Sequence, residues 1–200
     1  GAWVLPRPVR GGKLEGISWD GSTLVLQSAE RRGRFLVSSS SAGAASIHQI
    51  RVPGHVEYDT ISVDGRRLFL SEYAPSGEVA RIRVYDLWRR TLRAAPVGDK
   101  TSSAASMSGV PVARVAAPDG TTVFTVYDGT EYPFVHVLST DATSSVCIGL
   151  PAIGNRRAPG RWTVAYHAKR QQLRIKSVRL GKVFLVDTRN PGARVRVSDA

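Results

Sequence analysis

"SVDGRRLFLSEY" (residues 62–73) joins an Asp-Gly pair to an apolar run, and the same shape recurs along the chain. Asp20-Gly21 precedes "STLVLQS" and Asp119-Gly120 precedes "TTVFTVY". "KRQQLRIKS" from Lys169 keeps the shape without the pair. The first apolar residues after the turns are Leu24, Leu68, Val123 and Leu173, spaced 44, 55 and 50 residues apart. Asp-Gly before a strand signals a hairpin, because Gly adopts the positive φ that a tight turn needs.

Short strand-like segments lie before the turns, as "LEGISW", "YDTISV" and "VARVAA". "RFLVSS", "RIRVYDL", "FVHVLST" and "KVFLVDT" follow the post-turn strands, and then "SIHQIRVP", "LRAAPV", "SVCIGLP" and "ARVRVS". Four strands per unit at this spacing predict an all-β fold, a β-propeller of four-stranded antiparallel blades. "RIRVYDLWRRTLRAA" alternates basic and apolar residues, which favours a strand over a basic helix. The post-turn strand is expected to be buried on both faces between neighbouring blades.

The expected blades span 11–54, 55–98, 99–151 and 152–200. "AWVLP" (2–6) reads like the end of a fourth strand, so residues 1–10 are expected to be the outer strand of a preceding blade. One strand is then left over, which predicts about four blades of a six- to eight-bladed propeller with apolar end faces. A four-bladed ring with an N-terminal strap is the alternative.

"ISVDGRRLFLSEY", "RVYDLWRRTL", "PVARVAAPDGTTVFTVYDGTEYPFVHVLST" and "SVCIGLP" resemble a bacterial extracytoplasmic propeller family of the YVTN or Tol-type repeat. The resemblance covers about residues 10–151 and extends more loosely into the last blade. It implies an extracytoplasmic or cell-envelope location. The Gly-His and Trp-Asp marks of WD repeats are absent, as are the Asp boxes of sialidases.

Charge is uneven. Residues 1–150 hold 16 basic and 14 acidic side chains, whereas 151–200 hold 12 and 2. The basic last blade points to an anionic polymer or a membrane surface, with Arg156, Arg157 and Arg161 as a basic rim. Aromatic residues are too sparse there for a base-stacking surface, which disfavours nucleic acid. No apolar run is long enough to span a membrane as a helix, and a single cysteine, Cys147, precludes an internal disulfide.

No phosphate loop, HExxH or nucleophile-elbow motif is present, so no catalytic residue is assigned. Counting back from each Asp-Gly turn places Glu15, Asp59 and Arg114 at one equivalent position on three innermost strands. His55 and Glu57 share a face with Asp59 by the period of two. This channel-mouth set could hold a polar ligand or satisfy itself as inter-blade ion pairs. Calcium bound by Glu15, Asp59 and Glu57, with His55 as base, is the lactonase-like hydrolase alternative. Tyr127, Asp128, Glu131 and Tyr132 form an expected loop contact surface. The leading expectation is a non-enzymatic platform for a protein or a small polar ligand, a scaffold or sensor module.

Overall fold

In a computed structural model, the chain is described over residues 1–41, 44–98, 107–129, 132–151, 161–189 and 195–200. The described strands form four four-stranded antiparallel sheets. The first blade contains β1 (Trp3–Val4), β2 (Thr23–Ser28), β3 (Arg34–Ser41) and β4 (Ala44–Arg51). The second contains β5 (Val56–Ile61), β6 (Arg67–Tyr73), β7 (Val79–Asp86) and β8 (Thr91–Leu92). The third contains β9 (Gly109–Ala116), β10 (Thr122–Gly129), β11 (Phe134–Ser139) and β12 (Ser144–Gly149). The fourth contains β13 (Trp162–His167), β14 (Gln172–Ser177), β15 (Lys182–Asp187) and β16 (Arg196–Asp199). The protein is thus an all-β array of propeller blades. The basic segment around residue 85 is a strand, as its alternation requires.

The Asp-Gly turns set the register. In the second blade, Gly65 N donates to Ser62 O at 2.9 Å with Gly65 at φ 66°. Ser62 Oγ donates to Asp64 Oδ1 at 2.6 Å and accepts from Arg67 N at 2.9 Å. Ser18 and Asp20 repeat the arrangement in the first blade. In the fourth, a 3-10 turn at Ala168–Arg170 replaces the pair, and Gln171 takes the left-handed position at φ 45°.

Register then decides burial. Leu68, Leu70, Leu173 and Ile175 face the preceding blade and lie in inter-blade cores. Val25, Phe69 and Phe124 face the following blade and are also in cores. Burying each such side chain contributes about 1.5–3 kcal/mol, so three apolar seams hold the four blades together. No core cluster among the described residues joins the fourth blade to the first.

Two expectations are corrected. Residues 2–6 are not the outer strand of a preceding blade. Trp3 and Val4 pair with Ser28 and Gln27 of β2, beside the bridge from Ile17 to Leu24. The innermost strand of the first blade is therefore split, and the intervening loop is closed by Glu15 N donating to Pro6 O at 2.9 Å. The end faces also differ from each other. The first blade leaves Leu24, Leu26 and Leu36 half-buried and Ile17 and Ile47 exposed. The outward face of the fourth carries Gln172, Arg174 and Lys176 instead of the expected apolar residues.

Candidate functional site

Arg114 of β9 meets Asp59 of β5 and Glu15 of the loop that splits the first blade's innermost strand. Its Nη1 donates to Asp59 Oδ1 at 2.9 Å and to Thr125 Oγ1 at 3.2 Å. Nη2 donates to the Asp59 carbonyl at 2.7 Å, and Nε lies 3.1 Å from Glu15 Oε1. The register skips Asp59 between Tyr58 and Thr60. A bulge leaves its residue without a cross-strand partner, which leaves that carbonyl available to another blade. Ser71 Oγ also donates to Asp59 Oδ1, at 3.4 Å. The Arg114 and Asp59 side chains are only 5% and 6% exposed.

Burial opposes the Arg114 charge, but Asp59 and Glu15 outweigh it and hold the guanidinium firmly protonated. Burial raises the Glu15 carboxyl above its usual range, against the pull of Arg114. The guanidinium sits between two of the carboxylates expected to bind calcium and supplies the positive charge there. Among the described residues no group of three His, Cys, Asp or Glu side chains is placed to hold a metal.

His55 and Glu57 belong to a second, half-exposed cluster at the strand ends opposite the Asp-Gly turns. His55 Nε2 lies 3.5 Å from Glu57 Oε1, and its Nδ1 lies 3.1 Å from Arg32 Nη1. The His55 ring stacks on Tyr73 with centroids 4.6 Å apart. Burial raises the Tyr73 phenol, and the Glu57 charge adds to the shift. Sequence reasoning missed Arg32 and Tyr73. Arg32 reaches in from the turn after β2 of another blade, a contact that no local spacing encodes.

The expected loop surface divides. Tyr127 is 1% exposed and stacks on Phe134 at 5.1 Å, so it is a core residue rather than a contact residue. The cause is that β10 runs on to Gly129, paired with Gly109. Asp128 is half-buried, Tyr132 is 48% exposed, and Glu131 lies outside the described residues. Arg161 is exposed, whereas Arg156 and Arg157 also lie outside them.

At the opposite end, the turns of different blades touch. Asp20 N donates to Val63 O at 3.3 Å. A Cβ at Gly65 would lie 2.3 Å from Thr23 Oγ1, and one at Gly120 would lie 3.2 Å from the Trp19 Cβ.

No protein-family model matches the chain, and no curated protein matches it. Solved β-propellers do. The Dos1 propeller is similar at 9% identity and a TM-score of 0.59, over 92% of this chain and 47% of that one. The Cps50 (Swd1) β-propeller domain of Myceliophteria thermophila is similar at 13% identity and a TM-score of 0.55, over 100% and 55%. A proposed 6-phosphogluconolactonase from Bacteroides uniformis is similar at 14% identity and a TM-score of 0.51, over 92% and 56%. The chain spans about half the length of these structures, and at such identities the likeness concerns the fold.

Proposed function

We propose that the chain is a non-enzymatic binding module, a propeller scaffold or sensor for a protein or small polar ligand. The observation that carries this reading is the commitment of Arg114. Its donors tie three blades together, so the buried charges at the axis serve cohesion. The groups left to meet a partner are those at the half-exposed end: Arg32, His55, Glu57, Tyr73 and Tyr132. They combine aromatic area with polar tips, a composition suited to contact surfaces. Propellers carry unrelated functions on one fold, so this reading rests on the site and not on the neighbours. The extracytoplasmic, cell-envelope setting belongs to the proposal and rests on the repeat resemblance alone.

Photocrosslinking tests it. A crosslinker at position 132 is expected to give a discrete adduct in cells, with none from position 66 at the exposed opposite end. Glu57→Gln is expected to weaken the adduct. No discrete adduct from position 132, or equal adducts from both ends, contradicts the reading.

A further inference from the structure

The outward face of the fourth blade breaks the repeat in a directed way. At the register position where the first three blades place Val25, Phe69 and Phe124, the fourth places Arg174. Gln172 and Lys176 flank it on the same face of β14. Across the strands, Arg174 pairs with Leu185 and Leu185 with Arg196, so two guanidinium groups flank one half-buried leucine. The only acidic side chain on the described part of this face is Asp187, and Arg189 grips both its oxygens. That pairing lowers the Asp187 carboxyl to about 2. Arg170, Arg174 and Lys176 have no ion-pair partner among the described residues, and Arg196 acts on Asp187 through its charge without a close ion-pair contact. Arg170, Gln172, Leu185, Asp187, Arg189 and Arg196 line an open depression of about 480 Å³.

The three described seams are apolar, and burying these cations against a further blade would be strongly unfavourable unless that blade carried acidic partners, as Asp59 does for Arg114. We infer that this face docks an acidic peptide segment, with carboxylates on Arg174 and Arg196 and an apolar residue over Leu185. The inference rests on the binding-module reading but uses a different surface. Charge complementarity selects an anionic partner. The half-buried Leu185 on the floor favours a peptide over a bare phosphate polymer. Among the described residues the face presents no Phe, Tyr or Trp, and the single imidazole of His167, paired with Gln172, offers little area for stacking nucleobases.

Fluorescence polarisation with a labelled peptide of alternating Glu and Leu tests this, with polyphosphate, single-stranded DNA and phosphatidylserine vesicles as competitors. Arg174→Glu and Arg196→Glu are each expected to weaken peptide binding about tenfold, and Leu185→Ala to weaken it several-fold. Arg66→Gln, at an exposed side chain outside both surfaces, is expected to leave it unchanged, and circular dichroism confirms that each variant is folded. Absent binding, or binding indifferent to both arginine variants, overturns the inference. So does tighter binding of polyphosphate, DNA or vesicles together with indifference to Leu185→Ala. A discrete crosslink from position 132 would leave the binding-module reading standing in any of these cases.

Discussion

Arg114 of the third blade donates to both the side chain and the backbone carbonyl of Asp59 in the second, at 2.9 and 2.7 Å. Both side chains are almost fully buried. Removing one partner of a buried pair leaves an uncompensated charge. Arg114→Met is therefore expected to destabilise the chain by about 3–5 kcal/mol in urea unfolding. A loss near zero would remove the cohesive role.

The Asp-Gly hairpins make a second prediction. Gly65→Ala forces a side chain into a left-handed conformation and against Thr23 of the first blade. It is expected to cost more than about 1 kcal/mol, the ordinary penalty for such a site. Ser62→Ala, which strands Arg67 N, is expected to cost about 1–2 kcal/mol. Thermal melts check both, and Gly77→Ala serves as the comparison, since its positive φ meets open space.

Much of this was readable from the sequence because turns fix register. Counting back from each turn brought Glu15, Asp59 and Arg114 together, and they do meet. The same counting places Leu24, Leu68, Val123 and Leu173 on one side of their blades. Residues 2–6 misled because an apolar run ending in proline marks any strand that stops at a turn. Tyr127 misled because Asp-Gly at 128–129 looks like a hairpin, whereas β10 continues through it. The Asp59 bulge and the reach of Arg32 depend on neighbouring blades, which local periodicity does not report.

Two glutamates predict opposite pH effects. Hydrogen bonds from Arg81 and Arg83 lower the Glu72 carboxyl below its ordinary 4.5. Its stabilisation is present above that value and is lost as pH falls through the folded value. Burial raises the Glu15 carboxyl. The folded chain then holds that proton more tightly, so the contribution of Glu15 is full below 4.5 and is lost as pH rises through the folded value. Unfolding measured between about pH 3 and 7 should show that Glu72→Gln flattens the acid-side loss and that Glu15→Gln removes a decline on the rising side. Slopes unchanged in both variants contradict the assignment.

Calcium is expected to leave the melting temperature unchanged, because the Arg114 guanidinium already contacts both Glu15 and Asp59 and occupies the place of a cation between them. A ligand that binds the folded state raises it. A calcium-dependent rise that Asp59→Asn abolishes would restore the metal-assisted hydrolase alternative.

The first blade's uncovered apolar face predicts self-association of the 200-residue chain. Ile17 and Ile47 are 61% and 70% exposed there, beside Leu24, Leu26 and Leu36. Sedimentation should show concentration-dependent association in the micromolar range, reduced by Ile47→Lys. A strict monomer up to about 100 μM contradicts it.

A double-mutant cycle on Asp59 and Arg114, read by urea unfolding, tests most directly whether the charges at the axis hold blades together. Asp59→Asn and Arg114→Met are predicted to be destabilising singly and coupled by about 2 kcal/mol or more. Additive effects within about 0.5 kcal/mol, or a chain made more stable by either change, would contradict a role of these charges in holding the blades together.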